Sequence, residues 1–460
     1  MKRIESVSMD GGTATPIGFV GGVKRHVTVV RALLDNPLDI IPPEAFSESI
    51  VQTSAFGRKV IYVMAPELVQ QALSTGVAHL EKGDSVRRPL KAALGDGLLT
   101  AEAEDWRWQR AAIAPIFRAL TLDRFLPAMI AQAEAARDRM LAHAPGDVVA
   151  NHEMMRLTFD IIVETMLSGS DGFDVTEVEA GVSEYVRLAR WSSLTVALGI
   201  PEWAPYPGKQ RSVELAAVLR RSVLARVADR RIAATSRGDL IDLLIQASDP
   251  QTGRHMTDEE IADNLLTFLT AGHETTALGL AWTLDLLGRH PEIAARVRAE
   301  IDEVTQGGPV QPAHIASLTY TRQTFQEAIR LYPPAAIIPR RVAEPIEIGG
   351  DVIEADATLI FPVYAIHRHQ SLWDAPHVFN PDHFAPDAVA SRHRYAFMPF
   401  GAGPRICIGS GFAMMEAVAI LAVLLQQLQL TPSAAKPPEP RLDVTLRPSQ
   451  PLVMQVRRRS

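Results

Sequence analysis

Thr257-Asp258-Glu259-Glu260 has the spacing of a capping box, with Thr257 as N-cap and Glu260 at the third helical position. Apolar residues then recur with helical periodicity through Leu265, Leu266, Phe268, Leu269, Leu278, Leu280 and Leu284, and Pro291 bounds the run. The spacing predicts one helix of about 30 residues, roughly 45 Å long at 1.5 Å per residue. A helix of that length crosses a whole domain, and the rest of the chain has to pack around it. Further helices are expected over about 105–144 with a break at Pro115, and near 151–168, 184–200, 211–236, 239–247, 291–305, 321–331 and 411–428. Lys59 to Met64 reads as a strand and Pro66 to Ala72 as the start of a short helix, while short β-like pieces fall between Ile337 and Val363. The expected fold class is mainly α with small β-sheets. Residues 1–22, rich in Gly, Ser and Thr, read as a loose N-terminal arm, and without a repeat or linker residues 23–460 are expected to form a single domain.

Composition narrows the function. Lys+Arg 46 against Asp+Glu 53 leaves 46 − 53 = −7, which gives no reason to expect nucleic acid. The longest clear apolar run, Ala417 to Leu425, is far short of the ~18 residues of a membrane span, and the opening MKRIESVSMDGG lacks the apolar stretch of a signal sequence. A cytoplasmic protein without a transmembrane anchor is expected. The single cysteine, Cys407, excludes an internal disulfide, a multi-cysteine zinc site and an iron–sulfur cluster, which takes four thiolates.

That cysteine sits in Phe400-Gly401-Ala402-Gly403-Pro404-Arg405-Ile406-Cys407-Ile408-Gly409, a glycine-rich loop directly before a helix. Backbone N–H groups of such a loop and of a helix N-terminus stabilise an anion, so a depressed thiol pKa is expected, and the glycines let the backbone approach a flat cofactor. An isolated cysteine before a helix is more often a small buried apolar residue. The ten residues, however, match at every defined position the cysteine-ligand loop of the cytochrome P-450 haem-thiolate monooxygenases, and the chain resembles the soluble bacterial type of that family. The resemblance implies haem b with Cys407 as the iron ligand, O2 as co-substrate, and Phe400 and Gly409 beside the thiolate. A cysteine axial ligand pushes electron density that favours O–O cleavage.

Four other motifs follow in the order the resemblance requires. Glu327 and Arg330, at i and i+3 in EAIR, would alone be a surface pair worth a few tenths of a kcal/mol. In the family the pair is buried behind the haem and locked to an arginine of a later segment; here that segment is Phe379-Asn380-Pro381-Asp382-His383-Phe384, with His383 at the arginine position. Ala271-Gly272-His273-Glu274-Thr275-Thr276 lies mid-way along the long helix. Taken alone, Thr275 bonds back to the Ala271 carbonyl and bends the helix; in the family AGHETT is the oxygen-activation segment, in which Thr275 would hold water at the reacting oxygen and Glu274 would connect it to bulk protons. Trp106 and Arg110, at i and i+4, share a helix face and suit a carboxylate. By resemblance they contact a haem propionate, as do Arg405 and Arg340, with Arg341 a near alternative. His367, His369, His377 and His383 match no zinc spacing.

The residues expected over the open haem face are Ala271, Leu266, Phe268 and Leu269 on the long helix and Ala335, Ile337 and Ile338 after Pro333-Pro334. That set implies an apolar small-molecule substrate held by burial. With no flavin segment in the chain, electrons are expected from a separate ferredoxin or flavodoxin and its NAD(P)H-dependent reductase, docking near Arg107, Arg118, Arg392, Arg394 and Arg405. Residues 184–210, with Trp191, Trp203 and three prolines, are where a lid is expected. The expected reaction is hydroxylation or epoxidation. The alternatives are a peroxide-dependent haem peroxygenase and a non-catalytic haem protein that binds a small ligand.

Overall fold

A computed structural model of the chain describes residues 31–55, 57–167, 169, 175–233 and 236–459; the expected loose arm of residues 1–22 lies outside them. The long helix runs from Asp258 to Arg289, and both halves of its capping box form. Thr257 Oγ1 accepts from the Glu260 N–H at 3.2 Å, and Glu260 Oε2 accepts from the Thr257 N–H at 2.9 Å. From Ile261 to Leu287 every residue is buried except Ala271, Gly272 and Thr275. A helix enclosed on nearly all sides needs partners all round. They are the helices Ala150–Leu167, Lys209–Ile232, Thr319–Leu331 and Ser410–Gln427. Gly272 is what lets the first approach closely: a Cβ there would lie 2.8 Å from Ile162 Cδ1.

Ser410–Gln427 is long and apolar enough to cross a membrane by length and composition. In this fold it is an interior helix, with Glu416 to Leu425 all buried, packed on Leu126–Ala142, Pro291–Thr305 and Thr319–Leu331. Burial among helices accounts for its composition.

The expected breaks and starts fall within a few residues, with two exceptions. The helix expected near 184 begins at Val175, and the 105–144 stretch divides into Ala103–Ile113, a 3-10 turn Ala114–Phe117, Ala119–Leu122 and Leu126–Ala142. Pro115 and Pro127 each open a new turn rather than continue an old one.

A five-stranded sheet flanks the helices in the order Ile50–Ala55, Arg58–Val63, Thr358–Phe361, Ile338–Val342, Leu80–Glu81. Only the Arg58–Val63 and Thr358–Phe361 pair is parallel. A second sheet joins Gly146–Val149, Val453–Arg458 and Leu428–Pro432. Two hairpins complete the fold, Ile346–Ile348 with Asp351–Ile353 and Pro440–Leu442 with Leu446–Pro448. Chain order thus brings the helix Ala103–Ile113 and the strand Ile338–Val342 to the loop before Ser410, Arg110 reaching the Ile406 carbonyl and Ile338 lying beside Gly401.

Candidate active site

Cys407 lies on this loop and keeps accessible surface. The loop is held in a tight reverse turn in which the Cys407 N–H donates to the Phe400 carbonyl at 2.8 Å, and the half-buried Phe400 ring joins the central apolar core. Gly403 has φ of +67°, and a Cβ on it would fall within 1.9 Å of the Leu73 carbonyl oxygen, so only glycine fits. The expected depressed thiol pKa is not what the surroundings produce. Burial raises it, and the Gly409 N–H and Arg110 pull it down only in part. Although the residue keeps accessible surface, protein depth around the sulfur outweighs the loop dipoles.

The rim beside the loop is unusually cationic. Arg405 Nη2 pairs with Glu102 Oε2 at 2.5 Å, and its guanidinium lies 4.7 Å over the Trp106 ring. Arg340 is half-buried, and among the described residues its guanidinium donates to the carbonyl of its neighbour Pro339 at 2.8 Å; desolvation and then the Arg405 charge push its pKa down to about 10. Lys82 is buried, its Nζ donating to the carbonyls of Leu98 at 2.9 Å and Ala101 at 3.0 Å. Burial and the nearby Arg405 push that ammonium down to about 7. Arg340 and Arg405 face one carboxylate, Glu102, and Lys82 adds to their charge whenever it is protonated. Positive charge in excess of that carboxylate is costly unless an anion sits among them, and the propionates of a haem would supply it. Arg341 is excluded from this role: it lies on the surface, paired with Glu81 at 3.0 Å and Asp356 at 2.6 Å. Arg110, one turn on from Trp106, also reaches the loop, donating from Nη1 to the Ile406 carbonyl at 2.7 Å. Lys82 and Glu102 carry no sequence signal, because nothing near them is periodic or repeated.

Ala271 and Thr275, one turn apart, form the open face of the long helix. Thr275 Oγ1 donates to the Ala271 carbonyl at 2.8 Å. Glu274 points elsewhere. Its Oε1 accepts from Thr445 Oγ1 and from Arg447 Nε at 3.0 Å and Nη2 at 2.6 Å, while Oε2 is buried without a partner. The acid and the hydroxyl are adjacent in sequence, but no hydrogen bond joins them. Two of the expected pocket residues also turn away. Leu266 and Leu269 are fully buried in the core with Phe159 and Ile162, about 140° and 160° around the helix from Ala271. Phe268 stays on the cavity side, edge-on to Phe117 at 5.3 Å. Ala335 is exposed and Ile337 and Ile338 are half-buried, with Ile338 Cδ1 3.8 Å from where a Gly401 Cβ would stand.

Behind the loop, Glu327 and Arg330 are both fully buried and joined bidentately at 2.7 Å. Arg330 also donates to the carbonyls of His367, Pro376 and Val378. His383 does stand in for the usual arginine, with Nδ1 3.1 Å from Glu327 Oε1 and Nε2 2.8 Å from the Asp374 carbonyl. His367 accepts from the Met398 N–H at Nε2, so its Nδ1 carries the proton given to the Arg330 carbonyl. That ring ties the pair to the chain leading into the cysteine loop. Among the described residues no cluster could hold a metal through histidines and acids.

Glu416, nine residues after Cys407, escaped the motif search although a lone acid in the run GFAMMEAVAILAVLL is itself a signal. It is fully buried, neither oxygen has a hydrogen-bond partner, and burial raises its pKa well above 4.5, with Thr276 beside it opposing weakly. The folded state therefore binds this proton more tightly than the unfolded chain, and stability falls as pH rises above 4.5 toward the raised value. Glu416→Gln removes the effect. Its melting temperature should match the parent near pH 5 and exceed it by a few degrees at pH 8; a constant difference across that range would contradict the assignment.

The Cytochrome P450 family model matches residues 45–456. The chain is 31% identical to cyclooctatin synthase of Streptomyces melanosporofaciens, over 89% of each chain. It is 32% identical to cyclooctat-9-en-7-ol 5-monooxygenase of the same organism, over 87% of this chain and 86% of the relative. To pentalenene oxygenase of Streptomyces avermitilis it is 32% identical over 80% of each. The crystal structure of the cytochrome P450DA heme domain superposes with a TM-score of 0.79 at 25% identity, covering 96% of this chain and 94% of that one. The cysteine loop, the surplus of cations and the buried Glu327–Arg330 pair agree with these matches, and the chain belongs to the cytochrome P450 family.

Proposed function

We propose that the protein is a monooxygenase that inserts one atom of O2 into a C–H or C=C bond of a polycyclic apolar molecule, a hydrocarbon or its mono-alcohol. The observation that carries the reading is the accessible thiol of a glycine-rich loop beside cations that outnumber their one carboxylate. Cys407 would bind the iron of haem b, Lys82, Arg340 and Arg405 its propionates, and Trp106 and Arg110 would close the same edge. Bound there, the haem supplies a thiolate-ligated iron whose electron push favours O–O cleavage. The chain's own residues do the rest. Ala271, Phe268, Ala335, Ile337 and Ile338 offer apolar contact without a fixed charge, which selects an apolar substrate and excludes water. Thr275 keeps its oxygen lone pairs free while its proton goes to Ala271, so it can accept from a water in the cavity. Glu274, paired with Arg447, is the acid from which a proton is passed on. The skeleton named in two relatives, cyclooctat-9-en-7-ol and pentalenene, supports the substrate class.

The test is titration of the purified haem protein with pentalenene and with cyclooctat-9-en-7-ol, followed by turnover under ¹⁸O2. A spin-state shift and one ¹⁸O atom in the product are expected. A product without label would overturn the reading.

Electrons would come from a separate ferredoxin or flavodoxin with its reductase. Of the five arginines expected to dock it, Arg107, Arg118 and Arg394 are exposed. Arg392 is instead stacked 4.1 Å over Trp373 and Arg405 is paired with Glu102. Reversing Arg107 and Arg394 to Glu should slow reduction by an acidic ferredoxin roughly tenfold at low ionic strength and little at high salt. An unchanged stopped-flow rate would remove this face from consideration.

A further inference from the structure

The hairpin Pro440–Leu442 with Leu446–Pro448 carries side chains to both the long helix and the helix Val175–Ala197. On its second strand and turn, Arg447 and Thr445 hold Glu274. At the turn, Asp443 pairs at 3.6 Å with Arg190 of the helix Val175–Ala197, within the stretch expected to form a lid. The hairpin is clamped by the Leu446 N–H on the Pro334 carbonyl at 2.9 Å and the Leu442 N–H on Asn36 Oδ1 at 3.0 Å, so its backbone is fixed and its side chains are the moving parts.

Their charges form an ordered series. Arg441 and Arg447 stand directly opposite each other across the hairpin, a like-charge cross-strand pair that is unfavourable unless each has its own acid. Arg447 has Glu274. Arg441 has only Asp443 at 3.7 Å, which it shares with Arg190, and its Nε is otherwise buried without a partner. One Asp443 oxygen thus lies between two guanidiniums, and the more of its charge Arg190 takes, the less is left to compensate Arg441 opposite Arg447. A cavity of about 90 Å³, lined by Arg190, Trp191 and Asp443 among others, gives the outer contact room to rearrange. Arg447 is part-exposed while Glu274 is buried, so the hairpin links the acid to a side chain that reaches solvent.

We propose that Arg447 and Thr445 are positioning residues for Glu274, and that Arg190, which touches neither, bears on Glu274 through Asp443 and Arg441. The proposal deepens the reading of Glu274 as the proton-delivering acid and rests on it. The expected consequence is that movement of the lid-side helix changes how the acid is held.

The test is a double-mutant cycle of Arg190→Gln and Arg447→Gln in the haem protein, with Arg447→Lys as the conservative variant. One readout is the share of NAD(P)H electrons recovered as hydrogen peroxide without added substrate, with a plant-type ferredoxin and its reductase as donor. Each single variant should shift that share about threefold, the double variant no further, and Arg447→Lys should restore it. The second readout is amide hydrogen exchange over residues 271–276, expected to rise in each single variant and not additively in the double. Additive effects, or exchange that changes only beside the substituted residue, would overturn the proposal. A thiolate-type ferrous–CO band retained in every variant assigns such a failure to the proposal alone, whereas its absence from the parent protein would overturn the reading beneath it.

Discussion

Arg330→Met is expected to destabilise the fold by about 3–5 kcal/mol, enough to leave little soluble protein, because it strands a fully buried Glu327 carboxylate. The guanidinium does more than pair with that acid. It satisfies three carbonyls, of His367, Pro376 and Val378, and lies 4.8 Å over Trp373, so one substitution unties the segment that leads to the cysteine loop. Arg330→Lys keeps the charge and loses the fork, and should be nearly as harmful. The double variant Glu327→Leu with Arg330→Met should be less unstable than Arg330→Met alone, since no uncompensated charge remains. Urea unfolding of the three variants checks this, and a double variant at least as unstable as the single one would show that the pair acts by something other than charge compensation.

Glu274→Gln is expected to lower turnover by on the order of 10²-fold while leaving the haem spectrum nearly unchanged, with a lower melting temperature because Arg447 loses its acid. The amide keeps the shape and still accepts from Thr445 and Arg447, but it cannot pass on a proton. NAD(P)H consumption should continue with hydrogen peroxide as its product. Thr275→Ala should fail in the same way. The bond from Thr275 to Ala271 makes this a sharp comparison, because a threonine that only bends the helix can be replaced by alanine without any change in product per NAD(P)H. Turnover and coupling at parent values in both variants would remove the acid and the alcohol from the reaction.

Local rules read much of this molecule from its sequence. The capping box at Thr257 and the stop at Pro291 place the long helix to within a residue or two because both are short-range hydrogen-bonding and steric effects. The cysteine loop is legible for a similar reason: Gly403 tolerates no side chain against Leu73, and that constraint is written in one residue type. His383 was read as the substitute at an arginine position, and it is found on Glu327. The parts that were not legible depend on distant segments. Lys82 and Glu102 enter the site through folding of loops, Arg447 arrives on a strand of three residues too short to show alternation, and Leu266 and Leu269 were assigned to the cavity although their angle around the helix takes them into the core. The loop dipoles that favour a thiolate are visible in a sequence, and the depth of burial that opposes them is not.

The measurement that bears most directly on the central claim is the ferrous-minus-CO difference spectrum of the purified protein and of Cys407→Ser. A strongly red-shifted Soret band in the parent that is lost in the variant is the predicted result. Absence of a haem band, or a band that the substitution leaves in place, would contradict the assignment of Cys407 as the iron ligand and the function built on it.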